Sequence, residues 1–178
     1  DRVSSNDAVF DIEKLNWINF QYMKKLTAPE LLDFVMPFLE KAGYVTLPLS
    51  DEKRGWLEKV VWYVRDHLYF GQQVVENVKP FFEEPAPVED AEIKAIIDAE
   101  DSHKILAAYA EALKALPEFN EDSIKKCFKA VMKETGIKGK AAFEPVRIAL
   151  TGQTQGPGLY TMIELLGLEE TEKRLNRF

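Results

Sequence analysis

Side chains able to do covalent chemistry are scarce in this 178-residue chain. It contains one cysteine, Cys127, and two histidines, His67 and His103. A Ser-His-Asp arrangement would have to be assembled from distant segments, and so few thiols and imidazoles argue against a transition-metal site. We therefore predict no catalytic residue, no metal site and no cofactor in this chain. Cys127 is expected to be a small core residue and both histidines to lie at the surface.

Four lysines, with no acidic residue among them, lie on one short segment predicted to be helical. With Ile124 and Phe128 on the buried side, four lysines fall about 100–200° around the helix from Ile124. This lysine face consists of Lys125, Lys126, Lys129 and Lys133. Solvated helix surfaces usually mix signs into i,i+4 pairs, and this one does not. Lys138 and Lys140 extend it through the next turn, so it is either an ordinary solvated face or a surface for a polyanion backbone.

A glycine-rich loop follows at residues 151–159, with the sequence TGQTQGPGL. Its glycines allow another backbone or a flat base to approach closely, and its polar side chains donate and accept hydrogen bonds. It lies between helices rather than after a strand, which excludes a P-loop or a Rossmann motif. The alternatives are phosphate binding, hydrogen bonding to unstacked bases, or a plain turn, for which nine residues is long. Candidate contacts are Thr151, Gln155, Gly156, Pro157, Gly158 and Leu159, with Arg147 one helical turn earlier able to stack on a base or donate two hydrogen bonds to it.

The elements that must position these residues are helical nearly everywhere. Asp11 is a cap for the first helix, and Thr27 with Glu30 forms a capping box for the next. Pro37 is expected to kink or split that second helix, and a third is expected over residues 51–68. The acidic, proline-containing segment 83–87 is the clearest break, so we place a domain boundary there.

The second helical block shows the same periodicity. We predict helices over 88–99, 102–116, 141–150, 157–167 and 169–178, with an interruption or start near Pro145. A further helix is expected to start at Asn120 or Ser123 and to stop at Gly136. No alternating strand pattern and no internal repeat stands out. The predicted fold is all-α, in two packed helical blocks.

Net charge is a misleading guide to the partner. The sum of −7 argues against a polyanion. However, residues 124–147 carry seven basic and two acidic side chains, whereas residues 76–101 carry two basic and nine acidic ones. No apolar run is long enough to cross a bilayer, and the single cysteine fits a reducing compartment, so we expect a cytoplasmic protein without a membrane partner.

Two stretches resemble the anticodon-binding half of bacterial-type glutamyl-tRNA synthetases. Residues 10–26, FDIEKLNWINFQYMKKL, fit the family pattern F-D-x-x-K-L-x-W-x-N-x-x-Y. Residues 145–175 fit P-x-R-x-A-L-T-G, a variable loop with proline, L-G and a downstream Arg-Leu. The resemblance implies two all-α domains forming a cage around the anticodon loop. It assigns residues 1–26 to a connector from the absent stem-contacting and catalytic part, and 27–84 and 88–178 to two anticodon-binding subdomains.

The same resemblance implies a function. The full-length enzyme would be a monomeric class I ligase that charges tRNA with glutamate in translation, using ATP and Mg²⁺. This chain lacks the catalytic half and would contribute tRNA recognition. Lys126, Lys129, Lys133, Lys138, Lys140 and Arg147 are its expected tRNA contacts, together with the loop candidates above.

One departure from the family concerns specificity. His67 aligns with a position where many members that charge only glutamate tRNA carry an arginine that reads the last anticodon base. A neutral histidine can donate or accept a hydrogen bond, which leaves glutamine tRNA open as a second partner. Arg65, two residues earlier, is a further candidate contact. A different class of function is also open, namely a helical protein-interaction module that presents the lysine face to an acidic partner.

Overall fold

The computed structural model describes residues 12–178, and this range contains helices and no β-strand. Residues 1–11, including the predicted cap Asp11, lie outside the described residues. The helices are α1 (Ile12–Met23), α2 (Ala28–Lys41), α3 (Asp51–Val64), α4 (Val74–Val78), α5 (Ala91–Ile97), α6 (Glu100–Lys114), α7 (Glu121–Thr135), α8 (Lys140–Thr151), α9 (Leu159–Leu166) and α10 (Leu168–Leu175). The all-α prediction is confirmed.

The chain divides into two compact units, the first ending at Asn77 and the second beginning at Val78. The segment 83–87, where the sequence suggested the boundary, therefore lies inside the second unit. Two side chains tie this segment to the second unit: Arg174 of α10 donates a hydrogen bond to the Glu83 carbonyl, and Arg177, just after that helix, donates one to the Pro85 carbonyl. The assignment of the chain to functional subdomains remains a prediction.

In the first unit, α2 begins as its sequence predicts. The Glu30 carboxylate accepts hydrogen bonds from the Thr27 backbone N–H at 2.8 Å and from the Thr27 hydroxyl at 2.7 Å. Pro37 does not split this helix, which continues through it to Lys41. The buried side of α2 consists of Leu31, Leu32, Val35, Met36 and Leu39.

Helix α3 ends earlier than the periodicity indicated. The Ser50 side chain accepts a hydrogen bond from the Lys53 backbone N–H at its start, and the α-helix stops at Val64. Its buried side is Leu57, Val60, Val61 and Val64. A short 3₁₀ turn, Arg65–His67, follows and carries both candidate residues of this unit.

The second unit packs α6, α7, α8, α9 and α10 together around aromatic side chains. The Tyr109 and Phe128 rings lie 4.6 Å apart, and the Phe143 ring meets Phe128 edge-on at 5.0 Å. Helix α7 starts at the Asn120 cap and ends at Gly136, with a φ of 74°. These bounds match the predicted ones, since a side-chain cap and a left-handed glycine are strong local signals.

Helix α8 corrects one expectation. It starts at Lys140 and continues through Pro145 to Thr151, so the proline neither interrupts nor begins it. Gly152, with a φ of 73°, ends the helix, and its N–H donates to the Ile148 carbonyl at 2.7 Å. Gly152 thus fixes the point at which the glycine-rich loop leaves the helix. Across residues 12–178, no helix has the length and apolar character needed to cross a bilayer.

Candidate nucleic-acid interface

The lysine face lies on the solvent side of α7. All four of its lysines are exposed, whereas Ile124, Phe128 and Val131 on the other side are buried. None of the four forms an ion pair with a side chain in the described part of the chain. Each ammonium group is therefore available to an external anion, and together they make a strip of positive charge that forms no ion pair within residues 12–178.

The two lysines beyond α7 are exposed but differ in their surroundings. The Lys140 ammonium lies 4.0 Å from the Glu144 carboxylate, one turn along α8. No such pair is formed by Lys138 within residues 12–178. We therefore expect Lys138 to add more to an anion-binding surface than Lys140, whose charge is partly balanced.

The start of the glycine-rich loop is ordered by Thr151. Its hydroxyl donates to the Arg147 carbonyl at 2.8 Å and accepts from the Gln153 backbone N–H at 3.1 Å. The chain therefore turns away from α8 in a defined direction. This leaves Gln155, Gly156 and Gly158 exposed farther along the loop.

The Arg147 side chain contacts the glycine-rich loop near its far end. Its guanidinium Nη1 donates to the Pro157 carbonyl at 2.9 Å, and a Cβ placed on Gly156 would lie 3.0 Å from the same nitrogen. The side chain is half-buried. Part of the donor set that the sequence assigned to a base is thus engaged inside the protein. The donors that remain for an external ligand are the other guanidinium N–H groups and the loop itself.

The end of the loop is buried, and a carboxylate lies close to it. Leu159 is 4% exposed, so its side chain faces the core and only its backbone is near the surface. In the first turn of α9, the Thr161 hydroxyl donates to the Glu121 carboxylate at 2.9 Å. A carboxylate here competes with phosphate for the helix N-terminus. Of the two binding alternatives, this favours hydrogen bonding to bases.

Arg65 and His67 belong to the first unit. The Arg65 guanidinium lies 4.1 Å over the Trp62 ring, and its Nη1 donates to the Trp62 carbonyl at 2.8 Å. The Asp66 carboxylate lies 3.8 Å from Arg65. The His67 side chain is exposed at the end of the turn. Arg65 is thus held in place by local contacts, while His67 is open to solvent.

Comparison with known proteins decides the family. The sequence profile described as an anticodon binding domain matches residues 30–178. The chain belongs to this anticodon binding domain family. It is 41% identical over 174 residues to the glutamate–tRNA ligase of Bacillus subtilis strain 168, and 38% identical over 175 residues to that of Desulforamulus reducens. Each match covers 98% of this chain but 36% of the relative, so the anticodon binding domain spans about a third of the relatives' length, in their C-terminal part.

Solved structures agree on the fold. The glutamate tRNA ligase of Elizabethkingia meningosepticum CCUG26117, crystallised with its amino acid, matches with a TM-score of 0.81 and 24% identity over 94% of this chain and 32% of that chain. The enzyme of Elizabethkingia anophelis matches with a TM-score of 0.77 and 25% identity over 94% of this chain and 31% of its own. The resemblance that the sequence motifs carried is confirmed.

The remaining side chains capable of catalysis or metal binding are few in the part that the structure describes. Residues 12–178 contain no group of three or more His, Cys, Asp or Glu side chains able to hold a metal ion. Cys127 is half-buried, and burial raises the pKa of its thiol, which keeps it protonated and unreactive. His103 is exposed on α6.

Sequence reasoning missed two residues next to the candidate site. Trp62 supports Arg65 by stacking, and no spacing rule singles it out from other half-exposed tryptophans. Arg174 is 4% exposed and donates to the Leu150 carbonyl just before the glycine-rich loop. A signal for Arg174 was present, because it is the arginine of the Arg-Leu pair in the second motif.

Proposed function

We propose that this anticodon binding domain recognises the anticodon loop of glutamate tRNA, as the tRNA-reading part of a glutamate–tRNA ligase. The observation that carries the proposal is the lysine face of α7. Four exposed lysines that form no ion pair in the described part of the chain, in a chain of this family and of net charge −7, fit a surface for a phosphate backbone.

The site residues divide the task by chemistry. Lys126, Lys129 and Lys133, aided by Lys138 and Lys140, neutralise phosphates and set the position of the RNA without reading its sequence. The exposed part of the glycine-rich loop, with Gln155, offers donors and acceptors to the edges of unstacked bases. Arg147 supports that loop and leaves its remaining N–H groups for the RNA.

The first unit contributes the reading of the last anticodon base. Its candidates are Arg65, held against Trp62, and the exposed His67. A histidine at this position accepts as well as donates hydrogen bonds, so discrimination between glutamate and glutamine tRNAs is relaxed. Charging itself, with ATP and Mg²⁺, belongs to the parts of the relatives that this chain does not match, and the chain alone is monomeric and catalytically silent.

Footprinting of glutamate tRNA by the 178-residue chain tests the proposal. We expect protection of the anticodon-loop nucleotides, with weak and salt-sensitive binding because acceptor-end contacts are missing. Protection of the acceptor end alone, or the absence of any protection at low salt, would contradict it. Retention of an acidic protein partner by a chain that protects no RNA would favour the protein-interaction module instead.

A further inference from the structure

Arg174 is a buried charge with an unusual set of partners. Its Nε donates to the Glu170 carboxylate at 2.7 Å, its Nη1 to the Leu150 carbonyl at 2.7 Å and its Nη2 to the Glu83 carbonyl at 3.1 Å. A buried guanidinium is costly unless its donors are satisfied, and here each of the three nitrogens has a partner. Arg174 thus joins its own helix, α10, to two segments that are remote from it in sequence.

The first of these segments is the end of α8. Leu150 lies in the last turn of that helix, where backbone carbonyls lack intrahelical partners and a cation is favoured. Thr151 and the left-handed Gly152 follow at once. By binding the Leu150 carbonyl, Arg174 fixes the position and direction from which the glycine-rich loop departs.

The second segment is the chain at residues 83–86. Arg177, just after α10, donates to the Pro85 carbonyl at 2.6 Å, and Lys173 pairs with Glu84. Together with the Arg174 bond, side chains in and just after α10 hold this segment at three points. The segment lies directly against the loop's first glycine. A Cβ on Gly152 would be 3.8 Å from the Pro85 Cβ and 4.0 Å from the Ala86 carbonyl oxygen.

The far end of the loop is fixed independently, by the bond from Arg147 to the Pro157 carbonyl. The loop is therefore held at both ends by arginines, one half-buried and one buried. Binding by a loop that is already ordered avoids the entropy cost of ordering it on contact with the ligand.

We propose that Arg174 is a positioning residue for RNA binding: it sets the geometry of the glycine-rich loop through Leu150 and the segment 83–86 and does not touch the RNA. The inference rests on the proposed function, since it assigns the loop to anticodon recognition. It separates Arg174 from the lysine face, whose members act on the RNA directly.

The test measures binding of an anticodon stem-loop of glutamate tRNA to the full chain carrying Arg174→Lys. This change keeps the charge but removes the fork that reaches two carbonyls. We expect binding about tenfold weaker, with faster amide exchange across residues 152–158. The slope of affinity against salt concentration should stay unchanged, because no phosphate contact is lost. Arg54→Lys, on α3 in the first unit and outside the proposed clamp, is the matched control and should stay within about twofold of the parent chain.

A second pair of variants avoids the core and covers the case in which Arg174→Lys does not fold. Pro85→Gly removes the ring next to Gly152 and loosens the segment, while Pro87→Gly makes the same backbone change at an exposed position. We expect about threefold weaker binding and faster exchange at Gly152 for the first, and neither effect for the second.

Three results would overturn the inference. Unchanged affinity in folded Arg174→Lys and Pro85→Gly chains, while lysine-face variants lose binding, would make Arg174 a purely structural residue and leave the proposed function intact. A lower salt slope in Arg174→Lys would indicate direct RNA contact. Failure of the parent chain to bind the stem-loop would remove the proposed function together with this inference.

Discussion

The lysine face of α7 and the glycine-rich loop lie in one unit but are held in opposite ways. The four lysines have no ion-pair partner in the described part of the chain, and their side chains are free to follow a ligand. The loop is fixed by bonds from Arg147, Thr151 and Gln153, and its preceding helix by Arg174. Phosphate attraction depends on charge more than on geometry, whereas base recognition requires donors at defined positions. We therefore propose that α7 supplies affinity and the loop supplies selectivity.

Charge reversal on the lysine face should have the largest effect on RNA binding. Lys126, Lys129 and Lys133 changed together to Glu should weaken stem-loop binding about 100-fold, since each contact is worth about 1 kcal/mol at the surface. The slope of log affinity against log salt should fall by about 2, at roughly 0.7 per lost phosphate contact with a single strand. Titration at several salt concentrations measures both quantities.

The control for that variant changes net charge equally. Lys59, Lys94 and Lys104 are exposed lysines on other helices, and the triple change of these residues to Glu gives the same total charge. A comparable loss of binding in both triple variants would show that total charge, rather than the lysine face, governs affinity.

Removal of the Arg147 side chain should reduce the selectivity that we assign to the loop. Arg147→Ala loses the bond to the Pro157 carbonyl, and hydrogen bonds from charged donors contribute about 1.5–3 kcal/mol. We expect about tenfold weaker binding to the cognate stem-loop and a small change for one with a scrambled loop sequence. Competition titration with the two RNAs measures the ratio. An equal loss for both RNAs would place Arg147 with the phosphate-binding lysines instead.

The helical framework was accessible from sequence because its signals are local. The Thr27–Glu30 box and the Asn120 cap with Gly136 set helix ends through bonds within a few residues. The proline expectations were less accurate. Pro37 and Pro145 lie inside helices, where packing of the buried face outweighs the lost backbone bond.

The candidate site was only partly accessible for the same physical reason. The lysine face follows from helical periodicity, and its exposure is confirmed. The contacts that order the loop join residues such as Arg174 and Leu150, 24 positions apart, and Arg174 and Glu83, 91 apart. No local pattern encodes such pairs, so the clamp on the loop required the structure, as did the division into compact units at Asn77.

A methyl group at Gly156 should disturb the loop with a smaller effect. In Gly156→Ala the new Cβ would lie 3.0 Å from the Arg147 Nη1, so the guanidinium must move by a few tenths of an ångström. We expect about fivefold weaker binding and faster amide exchange in the loop, without a change in the salt slope. In Gly158→Ala the Cβ meets the Thr161 Oγ1 at an ordinary 3.5 Å, so exchange in the loop should be unchanged. Equal exchange rates in both variants would mean that Arg147 does not order the loop.

The smallest expected effect concerns His67 in the first unit. This side chain is exposed, as the lysines of α7 are, but the proposed function assigns it to selectivity, as it does the loop. His67→Arg adds a donor that cannot accept a hydrogen bond, so it should favour one base at the last anticodon position over another. We expect the ratio of affinities for stem-loops of glutamate and glutamine tRNA to rise about threefold, as for a surface contact of roughly 0.6 kcal/mol.

The matched control for this variant is His103→Arg, an exposed histidine of α6 that gains the same charge in the second unit. It should change the affinity for both stem-loops equally, because added charge acts on phosphates that the two RNAs share. A threefold shift in the ratio with His67→Arg and none with His103→Arg would assign last-base selectivity to the Arg65–His67 turn. An unchanged ratio in both would remove His67 from the reading site and leave selectivity to the glycine-rich loop.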